Sequence, residues 1–274
     1  MNNLPKYFKK ISIVALVLIL VGTAGAVVVG HSERGVQMTQ EETVDVTDVN
    51  HITIRTSNQR IRIQQTTEDQ ARVVSNGMPS NAVLRVEVLG DTLDIDVSIP
   101  RRNISFGFNL ADLRSAMQGP ALTVYLPEQA YESIQAVTSN GRIDVENIVA
   151  VELLARTSNG RIDVAGVEAE TISLETTNSR IEISDVTGDV WARTTNGQIG
   201  FYGDTITHNV ELITTNGRIE VGLSQTPEHA DFSLSTTNSR TRLFGEDRTH
   251  QTFGDGTYEV RLQTTNGRIE VEVQ

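Results

Sequence analysis

The sequence predicts an all-β protein, a single-stranded β-helix or β-solenoid with coils of about 19–20 residues behind one N-terminal transmembrane helix. Three observations carry that prediction. An eight-residue phrase recurs: TTNGRIEV stands at 214–221 and again at 264–271, with TSNGRIDV at 138–145 and 157–164 and TTNSRIEI at 176–183. From Asn140 onward its asparagine recurs at spacings of 19, 19, 18, 20, 22 and 28 residues, the period of a stacked array. Ahead of the repeats lies one long apolar run with basic residues before it and acidic ones after it.

The chain starts with a short basic tail, residues 1–10, which holds all three lysines, Lys6, Lys9 and Lys10. Residues 11–30, ISIVALVLILVGTAGAVVVG, carry no charge. Twenty residues of helix span about 30 Å, the thickness of a bilayer's hydrocarbon core. The charge asymmetry predicts a single pass through the cell membrane, with the N-terminus cytoplasmic and the C-terminal part outside. Ala24-Gly25-Ala26 has the form of a signal-peptide cleavage site, so the alternative is secretion after cleavage near Ala26. Val27, Val28 and Val29 prolong the apolar run past that site and favour a retained anchor. Residues 31–44 read as a linker and 45–274 as an extracellular repeat domain.

Composition removes several classes of function. The 274 residues contain no cysteine, which excludes disulfides, thiolate metal sites and cysteine nucleophiles. Net charge is −12, and beyond residue 30 the arginines face 35 acidic residues with no lysine. No basic stripe exists to neutralise phosphates, so nucleic acid is not a partner.

Within the repeats, Val210, Leu212, Thr214 and Asn216 alternate with period two, as do Ile172, Leu174, Thr176 and Asn178, and Phe232, Leu234, Thr236 and Asn238. Alternation of that kind is a strand with one buried face. After each asparagine the phase slips, and the next apolar residue (Ile162, Ile181, Ile199, Ile219, Ile269) comes three positions on. An Asn-Gly step suits such a corner, because both residues tolerate unusual backbone angles. Each unit is therefore strand, corner, strand, turn. Helical repeats are excluded by the short period and the wealth of Thr, Val and Ile. Seven or eight coils at about 4.8 Å each give a stack of about 35–40 Å.

In this phase Thr214 and Asn216 point inward, and buried amides need partners. The prediction is a structural ladder of Asn58, Asn140, Asn159, Asn178, Asn196, Asn216, Asn238 and Asn266, each amide donating to one neighbour and accepting from the other. The repeated phrase is scaffold. Outward arginines follow the corner (Arg60, Arg142, Arg161, Arg180, Arg218, Arg240, Arg268), and acids stand two positions later (Asp144, Asp163, Glu182, Glu220, Glu270). Such columns offset one another diagonally and make a poor anion site.

LTVYLPEQAYESIQAVTSNGRIDV at 122–145, followed by coils ending TSNGRIDV, TTNSRIEI and TTNGRIEV, resembles the bacterial adhesin-like β-repeat family, which includes the LiaG-like envelope proteins and is largely a domain of unknown function. The resemblance covers roughly residues 45–274. It implies a β-helix-like fold at the cell surface, and it brings no catalytic residues. Gln198 in place of an arginine and Thr241 in place of an isoleucine depart from the pattern.

Outside the pattern, residues 83–97 read as a hairpin covering the N-terminal end of the stack, and 253–263 around Gly254-Asp255-Gly256 as the closure of the other end. Residues 100–120 form an insertion with Leu110, Leu113 and Met117 at helical spacing and Phe106 and Phe108 beside Arg101 and Arg102; these seven are the candidate interaction residues. A sugar-cleaving β-helix enzyme would need paired carboxylates in a groove, whereas here the acids repeat in solvated columns. His31, His51, His208, His229 and His250 share no motif spacing. No catalytic, metal or cofactor site is expected, and no small-molecule substrate is identified. The expected partners are the membrane and an envelope protein or surface polymer. The expected function is a non-catalytic, membrane-anchored interaction or envelope scaffold. The alternative is an accessory protein in envelope-stress signalling, and the remote one a polysaccharide-active enzyme.

Overall fold

The computed structural model describes residues 38–79, 81–99 and 120–274. They form two facing sheets of eleven strands each. The first runs Met38–Val44, Ala71–Met78, Ala121–Pro127, Arg60–Thr66, Ile143–Glu146, Ile162–Ala165, Ile181–Ser184, Ile199–Gly203, Ile219–Leu223, Ile269–Val273, Thr241–Leu243. The second runs His250–Thr252, Ala230–Thr236, Tyr258–Thr264, Val210–Ile213, Thr187–Arg193, Glu168–Glu175, Val149–Arg156, Tyr131–Val137, His51–Arg55, Thr92–Ser98, Val83–Leu89. Each coil gives one parallel strand to each sheet. There are nine such coils among the described residues, two or one more than the repeat phrase foretells, because Thr92–Ser98 and Ala121–Pro127 build a coil without that phrase.

Inward columns explain why the coils stay in register. In the first sheet Leu122, Ile61, Ile143, Ile162, Ile181, Ile199, Ile219 and Ile269 stack directly, and the column ends on Thr241. In the second, Leu93, Ile52, Ile134, Leu153, Ile172, Val190, Val210, Val260 and Phe232 do the same. A slip of one residue would turn every one of these outward. The departure at Thr241 thus falls in the outermost coil, where no further isoleucine waits above it. Between coils the chain turns through left-handed residues, Asn147 (φ 55°), Gly166 (φ 62°) and Asp185 (φ 52°), the residue types that tolerate that conformation.

Neither end follows chain order. The coil of Thr92–Ser98 and Ala121–Pro127 lies outside the first coil, and the chain returns past it to pair Tyr131–Val137 with His51–Arg55. At the far end Tyr258–Thr264 and Ile269–Val273 insert between the coil of residues 210–223 and that of residues 230–243. Two sequence expectations are corrected here and a third is extended. Residues 253–263 do not close the stack, because Tyr258–Thr264 is an interior strand; the closure is Ala230–Thr236 with antiparallel His250–Thr252 and an edge-to-face cluster of Phe232, Phe244 and Phe253. The segment 38–44, read as linker, is a strand. The pair Val83–Leu89 and Thr92–Ser98 is a hairpin at the other end, as expected, but its second strand also belongs to a coil.

The transmembrane segment 11–30, the tail 1–10, the cleavage site near Ala26 and the candidate residues Arg101, Arg102, Phe106, Phe108, Leu110, Leu113 and Met117 lie outside the described residues. Among the described residues no helix is long and apolar enough to cross a membrane.

Candidate functional site

Two ladders meet at the repeated corner, and the alternation places the threonines correctly inside but not the asparagines. The asparagines form one continuous row in the order Asn58, Asn140, Asn159, Asn178, Asn196, Asn216, Asn266, Asn238, each Nδ2 from Asn140 onward donating to the Oδ1 of the asparagine before it in that order at 2.6–2.8 Å. That row is exposed. The expectation of inward asparagines fails because the chain begins to turn one residue earlier: in the turn, the Asn178 N–H and the Thr177 N–H both donate to the Ser158 carbonyl of the neighbouring coil. The buried ladder is threonine. Thr138, Thr157, Thr176, Thr194, Thr214 and Thr264 are each 1–3% exposed. Thr214 Oγ1 accepts from the Gly217 N–H of its own corner (3.2 Å) and donates to the Gly197 carbonyl of the next coil (3.0 Å). Thr157 and Thr264 repeat both bonds.

Just after the corner the charged columns neutralise each other diagonally. Arg142 reaches Asp144 at 2.5 Å and Asp163 at 2.7 Å; Arg161 reaches Asp163 at 2.8 Å and Glu182 at 2.5 Å. Asp144 is 2% exposed and also takes Arg60 Nε at 2.5 Å. Burial holds the Asp163 carboxyl above the ordinary range, although Arg142 and Arg161 oppose the shift. Burial also pushes Glu182 up, but hydrogen bonds and charge from Arg161 and Arg180 outweigh it and hold that carboxyl low. Where Gln198 replaces the arginine, Gly200 replaces the acid, so the pair is lost together, and the Tyr202 ring covers the vacant strip. Arg60, Arg142, Arg161, Arg180, Arg218 and Arg268 are engaged by acids, and Arg240, in the outermost coil, stands exposed without an ion pair among the described residues; one isolated guanidinium makes a poor anion site.

A serine, histidine and carboxylates do meet on the second sheet: His51 Nδ1 lies 2.9 Å from Ser133 Oγ, with Glu132 at 3.4 Å and Asp91 at 3.7 Å from Nε2. Ser133 stands in the middle of the regular strand Tyr131–Val137, without the strained elbow that presents a nucleophile. His229, His208 and His250 are dispersed among Asp255, Thr207 and Asp231. Gly254 and Gly256 have positive φ (57° and 68°) and make an ordinary turn, in which Asp255 accepts from Thr257 and contacts His229. Among the described residues no group of His, Asp and Glu is placed to hold a metal ion.

The outer face of the second sheet carries a groove instead. Two rows of outward side chains run across four coils, Thr171, Asp189, Asn209, Glu259 and, two residues on, Ser173, Trp191, Glu211, Arg261. They line a shallow cavity of about 350 Å³, at the lower end of the usual range for small-ligand sites. Asn209 is clamped: its Nδ2 lies 3.1 and 3.2 Å from the two Asp189 oxygens, and its Oδ1 accepts the Glu259 N–H at 3.0 Å. Arg261 forks to Glu259 (2.7 Å) and Glu211 (3.6 Å). Trp191, half-buried, stands between small Ser173 and Glu211.

The toastrack DUF4097 family model matches residues 49–186 and again 138–272. The chain belongs to that family. The double match reflects the uniform coil, since either half of the toastrack stack satisfies the pattern. No curated protein matches the sequence. Among solved structures, one described as a "putative adhesin" from Bacteroides fragilis is 15% identical, covering 88% of this chain and 98% of its own, with a TM-score of 0.48. Another, described as a "putative cell adhesion protein" from Clostridium sporogenes, is 12% identical, covering 86% of this chain and 99% of its own, with a TM-score of 0.38. The adhesion in those descriptions is said of those proteins.

Sequence reasoning missed Trp191 and its groove. The available signal was that the chain's one tryptophan falls between Val190 and Ala192 in the inward phase, which forces it outward on a scaffold strand.

Proposed function

We propose that this toastrack protein is a non-catalytic interaction module, held at the cell surface by residues 11–30 and presenting the outer face of its second sheet to an envelope or surface polymer. One observation carries the reading. The columns after the corner, Arg240 apart, satisfy their charges among themselves, whereas the Trp191 groove sets an aromatic side chain, carboxylates and a clamped amide on a rigid, partly open surface. Rigid strands suit binding better than loops, because little ordering cost remains to be met on association. Nothing in the Ser133–His51 arrangement supplies an enclosed reaction site, which is why a binding role is preferred.

Protease treatment of intact cells tests the topology: residues 38–274 should be removed or cut while cytoplasmic markers survive, and full protection refutes the surface placement. Mild crosslinking tests the role. A polymer or a foreign surface recovered with the chain supports interaction. A membrane kinase or transporter recovered with it replaces this reading by an accessory role in envelope signalling.

A further inference from the structure

Resting on the interaction reading, we infer that the Trp191 groove binds a saccharide chain bearing free amino groups, with one pyranose ring stacked on the indole. Four features of the groove select that chemistry. First, the indole is half-buried and set between the short Ser173 side chain and Glu211, so a flat ring of comparable width finds room on the Ser173 side. Aromatic side chains offer an apolar face with an electron-rich centre, which accepts both the C–H face of a sugar and a cation. Second, Asp189, Glu211 and Glu259 face a single guanidinium, that of Arg261, so the cavity carries an excess of negative charge. An anionic glycan would be repelled there and an ammonium drawn in. Third, Asp189 and Asn209 fix each other, and Asn209 is also tied to the Glu259 backbone, so the polar floor is set before a ligand arrives. Fourth, the rows cross four strands, about 14 Å at the usual spacing, which matches a segment of two or three sugar rings more closely than a single ring.

Other surfaces are weaker candidates. The cavity of about 510 Å³ near Phe244, Phe253, Arg242 and Glu272 lies against the closing coil, and its aromatics are already packed on one another. The Asn row has its amides bonded along their whole length.

The chain contains one tryptophan, so fluorescence excited at the red edge, where its tyrosines do not absorb, reports this groove. Full-length protein in mild detergent should show a saturable fluorescence change on titration with a β-1,4-glucosamine oligomer at mildly acidic pH, weakened by added salt. Calorimetry on Trp191→Ala and on Glu211→Gln should each show affinity down by roughly tenfold, with both free proteins still unfolding cooperatively well above the assay temperature and Glu211→Gln melting as the parent does. Equal affinity for the N-acetylated oligomer, or preference for a polyuronate oligomer, overturns the amino-sugar assignment. Binding that survives Trp191→Ala undiminished overturns the site while leaving the interaction role intact. Absence of any fluorescence change with the amine-bearing oligomer also overturns it.

Discussion

Which ladder holds the coils together can be decided with two substitutions in one coil. Thr214→Val keeps the side chain's shape but removes the oxygen that accepts the Gly217 N–H at 3.2 Å and donates to the Gly197 carbonyl at 3.0 Å. Thr214 is 2% exposed, so water does not replace either bond. Leaving a buried donor unpaired costs about 1–3 kcal/mol, and the under-satisfied carbonyl adds to it, so a loss of about 3 kcal/mol is expected. Asn216→Ala also removes two hydrogen bonds, to Asn196 and from Asn266, at 2.8 and 2.7 Å. Those partners are exposed and rehydrate, so that loss should be no more than about 1 kcal/mol. Urea unfolding followed by far-UV circular dichroism, with an unchanged slope, gives both values. If Asn216→Ala costs as much as Thr214→Val, the buried hydroxyl is not what fastens neighbouring coils.

Gly217→Ala should cost about 3 kcal/mol, because a Cβ there would fall 1.5 Å from the Gly197 carbonyl oxygen, while Ser179→Ala at the equivalent corner should be near neutral; urea midpoints compare them. Glu182 is held low, so its stabilisation is present above the ordinary carboxylate range and is lost as pH falls through the lowered folded value. Glu182→Gln should therefore flatten the acid limb of melting temperature against pH. Asp163 is held high, so the folded state takes its proton first and gains stability as pH falls; Asp163→Asn should steepen the same limb. The five Asn-Gly steps of the corners, at Asn140, Asn159, Asn196, Asn216 and Asn266, are exposed, yet each glycine N–H is bonded to a threonine and each amide is held on both sides, unlike the sixth step, Asn76-Gly77, which lies outside the ladder. Peptide mapping after long incubation at mildly alkaline pH should find isoaspartate in urea-unfolded protein and little in folded protein; equal rates would show the corner gives no protection.

The strands were legible because stacking imposes one demand on every coil. Ile143, Ile162, Ile181 and Ile219 repeat in sequence because each rests on the last. Alternation alone assigned Asn216 to the interior beside Thr214, and it could not register that the chain is already turning at Thr215, whose N–H bonds to the next coil. Coil order was hidden for a different reason. All coils share the same faces, so nothing in the phrase TTNGRIEV says whether residues 264–271 lie above or below residues 236–243. Trp191 was passed over because a repeat pattern draws the eye to what recurs, and a binding residue need occur only once.

The inserted coil at the far end governs how the array can be assembled and enlarged. Until residue 273 has left the ribosome, the strand Val210–Ile213 has an open edge, and the coil of residues 230–243 has nothing to settle upon. Completion is thus a single late closure across residues distant in the chain, not a zipper advancing from the first coil. The same arrangement restricts growth by gene duplication: a unit copied between residues 149 and 203 extends every column, while one copied after residue 210 must break into a knot of already interleaved coils.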